Sequence, residues 1–259
     1  MLCWAIQKNL LHENDKNEIY QAFDDLKHKY YKFDAIPFSD DIPDFPDQNI
    51  IFYGSTNVIN SIYKSNRYNP GVFFNEKTFD YRMWYDQYHI LNSDCKFVKL
   101  KNILEHNFID DHLFIRPVLD LKEFAGQVIH VQNFTTWKDS LYGDKNQLLN
   151  CQCVISKPFG IEKEWRLFIV DKKVVGSSQY RDKRGLKLIS GAPQDVINFA
   201  EEQCKIFIPH DIFVLDICQS GGNLYVLEAG CFNSAGFYKS HLRTIFQSIY
   251  NFVLKKEKL

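Results

Sequence analysis

Two short apolar runs rich in β-formers, Phe213–Cys218 and Leu224–Ala229, flank the turn signal Ser220-Gly221-Gly222-Asn223 and predict a β-hairpin. Upstream, Trp165–Val170 and Val174–Tyr180 are joined by Asp171-Lys172-Lys173 and predict a second hairpin. Strands are also expected over Leu113–Leu119, interrupted by Arg116-Pro117, and over Leu148–Ile155; helices fit Pro193–Phe207 and His241–Leu254. The first hundred residues read differently. There, apolar positions near helical spacing (Ile19, Phe23, Leu26, Tyr30) predict a helix over Glu18–Tyr31, and Asn49–Tyr53 predicts a strand leading into a helical pattern through Ile62. A strand over Gly71–Phe74 and a helix from about Lys77 to Leu91 follow, whereas Pro37–Gln48, rich in proline and aspartate, is a loop. This alternation makes the fold class α/β with α+β elements: an α/β unit over residues 1–106, then a unit of strands and hairpins over 107–259. No repeat or long linker separates them, so the two halves should pack closely.

Composition narrows the function classes. At 259 residues the chain can bury a substantial core, and its formal net charge of -1 gives no global electrostatic case for nucleic-acid or membrane binding. Its 22 Phe and 14 Tyr are spread along the whole chain, which indicates packed faces rather than a stacking platform. Met1–Lys8 lacks a charged leader, no apolar run is long enough to span a bilayer, and seven cysteines without a framework spacing fit a reducing compartment. The expectation is a cytoplasmic protein. Cys151 and Cys153 read as buried thiols, since no second cysteine or histidine pair accompanies them. Gly54-Ser55-Thr56, after a strand, can cradle a phosphate or simply cap a helix.

The chemistry concentrates in the C-terminal hairpin. A turn centred on Gly222 sets Asp216 directly opposite Glu228 on one face of the sheet. Opposed like charges destabilise a sheet and their burial adds a desolvation cost, so something positive is expected between them. A divalent cation held by carboxylate oxygens, with Asn233 as a neutral oxygen ligand, meets that need. The alternative is an edge hairpin with solvated acids, or acids neutralised by Arg or Lys. On the metal reading, replacing either acid with alanine relieves repulsion, and stability without metal should hold or rise. Interior-looking cations precede the hairpin: Arg116 in "LFIRPVLDLKEFAG" with Lys122 just after it, Glu164 and Arg166 in "EKEWRLFIV", then Arg181, Lys183 and Arg184. Cations followed by paired carboxylates suit a polyphosphate with its metal.

This order of motifs resembles the ATP-grasp superfamily, most closely the compact arginine-containing clade in which an arginine replaces the usual phosphate-binding lysine. "FIRP" and "KEFAG" look like its first ATP-cation strand, "EWRLFIVDKKVVGSSQY" is similar to its Glu-x-Arg strand and hairpin, and "VLDI" with "VLEAGCFNSAGFY" looks like its metal-binding end. The resemblance covers Leu113 to Tyr238, and the N-terminal unit is similar to the pre-ATP-grasp domain in texture. It implies that Arg116 and Lys122 contact ATP, that the strand through Val154, Ile155 and Ser156 passes the adenine, and that Glu164 approaches the ribose or metal side. It further implies that Arg166 and Arg181 face the phosphates and the acyl-phosphate transition state, and that Asp216, Glu228 and Asn233 hold Mg2+. One departure stands out: the family's common spacing is Glu-x-Asn, whereas here Gly230 stands two after Glu228 and Asn233 five after. The only lid candidate is Thr135–Lys145, with Gly143.

The implied activity is an ATP- and Mg-dependent ligase that activates a small-molecule, peptide or protein carboxylate as an acyl phosphate and joins it to an amine. Neither a Ser/His/Asp set nor a catalytic cysteine appears in the sequence, which agrees with a reaction needing no side-chain nucleophile. The alternatives are a phosphotransferase using the same nucleotide site and a nucleotide-binding module without turnover.

Overall fold

The computed structural model describes residues 1–10, 13–36, 41–106, 110–119 and 123–258, with the side chains of Glu13 and Asn14 outside that description. Three sheets organise the chain. The first is parallel, in the order β2-β1-β3-β4, from β1 (Cys3–Gln7), β2 (Tyr30–Phe33), β3 (Asn49–Tyr53) and β4 (Asn69–Gly71). Its crossovers are α1 (Glu13–Leu26) and α2 (Thr56–Ser65). Every residue of β1 is buried, as expected of a parallel strand covered on both faces. The helix expected to run to Tyr31 stops earlier. Lys27 turns left-handed (φ 57°), and His28 N–H bonds back to Phe23 O in a Schellman-type ending, so the chain enters β2.

Between the first sheet and the rest lies the segment expected to be helical from Lys77 to Leu91. It keeps only one helical turn, α3 (Tyr81–Trp84), followed by further turns. Its end is drawn into a β-bridge, Ile90 opposite Val226, with Val226 N–H donating to His89 O at 2.8 Å. Tertiary pairing overrides the helical pattern there. β5 (Lys96–Lys99) then joins a second, antiparallel sheet in the order β5-β8-β6-β7, with β6 (His112–Pro117), β7 (Gln127–His130) and β8 (Gln152–Ser156). β5 thus enters this sheet before residue 106. The stretch Thr135–Lys145 spans parts of α4 (Phe134–Ser140) and α5 (Lys145–Asn150). The Asp144 side chain caps α5 by accepting from Gln147 N at 2.7 Å, which is why the strand expected from Leu148 begins only at Gln152.

The third sheet is antiparallel, in the order β11-β10-β9-β12-β13. Both predicted hairpins are in it: β9 (Lys163–Val170) with β10 (Lys173–Asp182), and, after β11 (Gly185–Ser190) and α6 (Gln194–Ile206), β12 (Ile212–Ser220) with β13 (Asn223–Gly230). α7 (Leu242–Glu257) closes the chain against α1. Strand alternation divides the sheet's two faces. Trp165, Leu167 and Ile169 pack with Val196, Ala200 and Cys204 of α6, while Phe168 and Val170 pack with Ile245 and Ile249 of α7 and with Trp4 of the first sheet.

A polar bolt crosses the seam between the first and third sheets. Asn233, fully buried after β13, accepts from Phe73 N at 2.7 Å through Oδ1 and donates to Phe52 O at 2.5 Å through Nδ2. Its own carbonyl accepts from Gly54 N at 2.9 Å, and Tyr53 Oη donates to Ala235 O at 2.7 Å. The Gly54-Ser55-Thr56 turn is also tied to the first sheet, because Ser55 N–H donates to Gln7 Oε1 of β1 at 2.8 Å. Replacing Asn233 with alanine strands a buried N–H and a buried C=O, each costing about 1–3 kcal/mol. Urea denaturation of Asn233→Ala should register a loss of at least about 2 kcal/mol on that basis. An unchanged midpoint would mean the seam does not depend on this amide.

Candidate active site

The second and third sheets face each other across a cleft of about 900 Å³. Arg116, Gly126 and Ser156 line it from one side, and Glu164, Arg181, Lys183 and Glu228 from the other. Strand register explains the grouping. Asp216 of β12 pairs with Arg166 of β9 on one side and with Glu228 of β13 on the other, so these three residues form a row across three strands. The hairpin register expected from the turn is therefore present, with a bulge immediately after it between Asp216 and Ile217.

The positive charge expected between the two acids is supplied in this structure by guanidinium groups. Arg166 binds Asp216 in a two-pronged pair, Nε to Oδ1 at 2.9 Å and Nη2 to Oδ2 at 2.8 Å, with side chains only 15% and 4% exposed. Arg116 reaches across from the second sheet and meets Glu228 Oε1 at 2.6 Å. This joins the two walls of the cleft. Both arginines lie near aromatic rings. Arg116 sits 5.3 Å from the Tyr81 centroid, while Arg166 lies 5.8 Å from Tyr180 and 5.2 Å from Tyr238. Those two tyrosines are stacked on each other at 4.9 Å, and Tyr238 adopts φ 53°, a left-handed conformation uncommon for a residue with a side chain.

Burial sets the electrostatics of this row. It works against the charge on Arg166, but the Asp216 carboxylate outweighs it and raises the guanidinium pKa well above its ordinary value. Burial pushes the Asp216 carboxyl up, with Arg166 pulling against it. Burial also raises Glu164, opposed by a hydrogen bond from Tyr180 and by the Arg181 charge. Tyr180 Oη also donates to Asp216 Oδ2 at 3.4 Å.

The residues singled out from the sequence do not all meet at the cleft. Arg116, Ser156, Glu164, Arg181 and Glu228 line it. Arg166 and Asp216 form the buried pair beneath, and Asn233 is committed at both ends of its amide to the seam with the first sheet. Val154 and Ile155 turn their side chains into separate cores, and of their strand only Ser156 lines the cleft among the described residues. Lys122 lies outside the described residues. Tyr180, Tyr238 and Tyr81 are site residues that the sequence reading misses. For Tyr180 a signal exists, since it stands immediately before Arg181 in sequence, but Tyr238 and Tyr81 are brought in by packing alone.

The cleft's chemistry suits a magnesium nucleotide. Among its described lining residues the acidic donors are Glu164, Asp182 and Glu228, and no thiol or imidazole accompanies them, as a hard cation requires. No group of three or more His, Cys, Asp or Glu among the described residues could hold a metal on its own.

A parallel N-terminal sheet followed by two antiparallel sheets clasping a charged cleft defines the ATP-grasp class. Within it, the chain belongs to an ATP-grasp domain family, the third of the compact arginine-containing clade, whose sequence pattern matches residues 54–249. A search of curated proteins gives no significant match. Solved structures share the fold at low identity. D-cycloserine synthetase DcsG aligns with TM-score 0.63 and 9% identity over 98% of this chain and 100% of that one. D-alanine–D-alanine ligase from Bacillus anthracis complexed with ATP aligns with TM-score 0.61 and 14% identity over 100% and 98%. The ATP-grasp ligase PsnB, complexed with precursor peptide PsnA2 and AMPPNP, aligns with TM-score 0.55 and 9% identity over 97% of each chain.

The paired arginines replace the uncompensated repulsion on which the expectation for the two acids rests. Asp216→Ala abandons a buried guanidinium, which should cost about 3–5 kcal/mol, readable as a shift in denaturation midpoint. A variant as stable as the parent would mean that Arg166 is not held by this pair. For Glu164 the folded carboxyl binds its proton more tightly than the unfolded one. Stability therefore falls as pH rises from the ordinary value of 4.5 through the raised folded value. Glu164→Gln cannot ionise, so its melting temperature should gain on the parent's across that window and hold its lead above it. A gap between the two melting curves that does not change with pH would refute this assignment.

Proposed function

We propose that this protein is an ATP- and magnesium-dependent ligase that activates a carboxylate as an acyl phosphate and joins it to an amine, releasing ADP and phosphate. The observation that carries the reading is the cleft itself: two antiparallel sheets bridged by Arg116–Glu228, with Glu164 and Arg181 paired at 3.7 Å on its wall. Arg116 leaves Glu228 to neutralise phosphate oxygens, and the backbone through Val154, Ile155 and Ser156 borders the adenine. Glu228 and Glu164 would hold the magnesium, with Asp216 behind them, and the bound ion would neutralise charge on the phosphates. Arg181, 60% exposed at the side chain, meets the charge that develops during phosphoryl transfer. Arg166 acts through Asp216, keeping that acid ionised beside Glu228.

The chemistry balances without a covalent enzyme intermediate. A carboxylate oxygen of the substrate attacks the γ-phosphorus, and the bond to the β-phosphate oxygen breaks to release ADP. The amine then attacks the acyl carbon, phosphate leaves with the bonding electron pair, and the amine gives up its proton. Positioning and charge stabilisation suffice for both steps. Likeness to the three ligases above supports this reading by fold. Among the described residues no helix is long and apolar enough to cross a membrane.

Hydroxylamine trapping tests the reaction. With a panel of carboxylates, it should give a hydroxamate with ADP and phosphate appearing together, and Glu228→Gln should reduce that turnover by about a hundredfold or more. A stable phosphorylated product with ADP and no phosphate would indicate a phosphotransferase. ATP binding without turnover across the panel would indicate a binding module.

A further inference from the structure

β11 is the end strand of the third sheet, and among the described residues it pairs only with β10. It is also unusually bare. Of its six residues five are exposed, including Leu186 at 78%, Ile189 at 45% and Leu188 at 40%. Natural edges are blunted with charge, bulges or covering segments, and a strand carrying three exposed aliphatic side chains beside an unpaired backbone edge is suited to receive another strand. The hairpin that presents it is basic. Residues 181–187 read Arg-Asp-Lys-Arg-Gly-Leu-Lys, four cations and one acid, and the acid is engaged by Lys187 at 3.3 Å. Arg181, Asp182 and Lys183, at the turn end of this hairpin, also line the cleft.

Taking the ligase reading as its basis, we infer that β11 is the docking strand for an acidic, extended peptide, which adds to the sheet edge and presents a side-chain carboxylate to the cleft. Charge complementarity selects this occupant. A second copy of the chain pairing through β11 would oppose one basic hairpin to another, whereas an acidic strand meets Lys183, Arg184 and Lys187 with opposite charge. Geometry agrees, because the turn that carries Lys183 borders the cleft and leads directly into β11, so a strand laid on β11 runs past the cleft-lining end of the hairpin. The backbone supplies affinity, and Leu186 and Leu188 supply contact for alternate side chains.

The test uses the whole protein and a fluorescent peptide alternating glutamate and valine, read by anisotropy, with ATP affinity measured separately by calorimetry. The peptide should bind, and its counterpart N-methylated at alternate residues should not, because methylation removes the strand-pairing donors. Leu186→Glu and Lys187→Glu should each weaken peptide binding about tenfold while leaving ATP affinity unchanged. Neither residue lines the cleft. Failure of the unmethylated peptide to bind, or equal binding by the methylated peptide or by both variants, would overturn the proposal. So would a dimer in sedimentation velocity that Leu186→Glu dissociates, since a second copy would then be the occupant. Peptide binding with these signatures but no turnover on any carboxylate would leave the docking strand standing and reject the ligase reading.

Discussion

The site is organised around one constraint: Asp216 is buried, and a buried carboxylate must have a partner. Arg166, opposite it on the neighbouring strand, provides both prongs of a guanidinium. Neither member could stay buried alone, so each enforces the other's position, and the register of β9 against β12 is pinned by charge as well as by the apolar residues around it. Tyr180 and Tyr238 enclose the pair, and the carbonyl of Gly236 takes a weaker contact from Arg166 Nη1 at 3.4 Å. The row from Arg166 through Asp216 to Glu228 then fixes where the exposed acid meets the cleft.

The same logic operates at larger scale between the sheets. Arg116 and Glu228 hold the two cleft walls together by an ion pair whose acid is 33% exposed at its side chain, so water can reach the Glu228 carboxylate. The Asp216 carboxylate, paired with Arg166, has no such access. The two acids therefore differ in their access to the cleft, a difference set by burial rather than by residue type. Exposed pairs elsewhere, such as Lys205–Glu202 on α6, contribute little.

The N-terminal sheet is joined to this machinery through the segment that follows β13. Asn233 and the aromatic rings of Phe232 and Phe237 lie between β1, β3 and the third sheet, so the turn leaving the site also forms the seam of the fold. A residue with the chemistry of a metal ligand is used there to satisfy backbone groups. Buried amides leave no room for both roles, since each end of the Asn233 side chain is already occupied.

Local pattern is enough to identify the two hairpins, α6, α7, and the opposition of Asp216 and Glu228, because strand alternation and a Gly-Gly turn are encoded within a few residues. The order of cations and acids along the chain likewise points to the ATP-grasp fold. Sequence does not reveal β5 joining β8, the collapse of the Lys77–Leu91 helix to a single turn, or the edge strand β11, since each depends on a partner far along the chain. Nor does it show that Arg166 is buried against Asp216 while Arg181 stays open, or that Asn233 turns to the seam. Residue type and spacing specify which groups can bear charge; only the packing of distant strands decides which of those groups water can still reach.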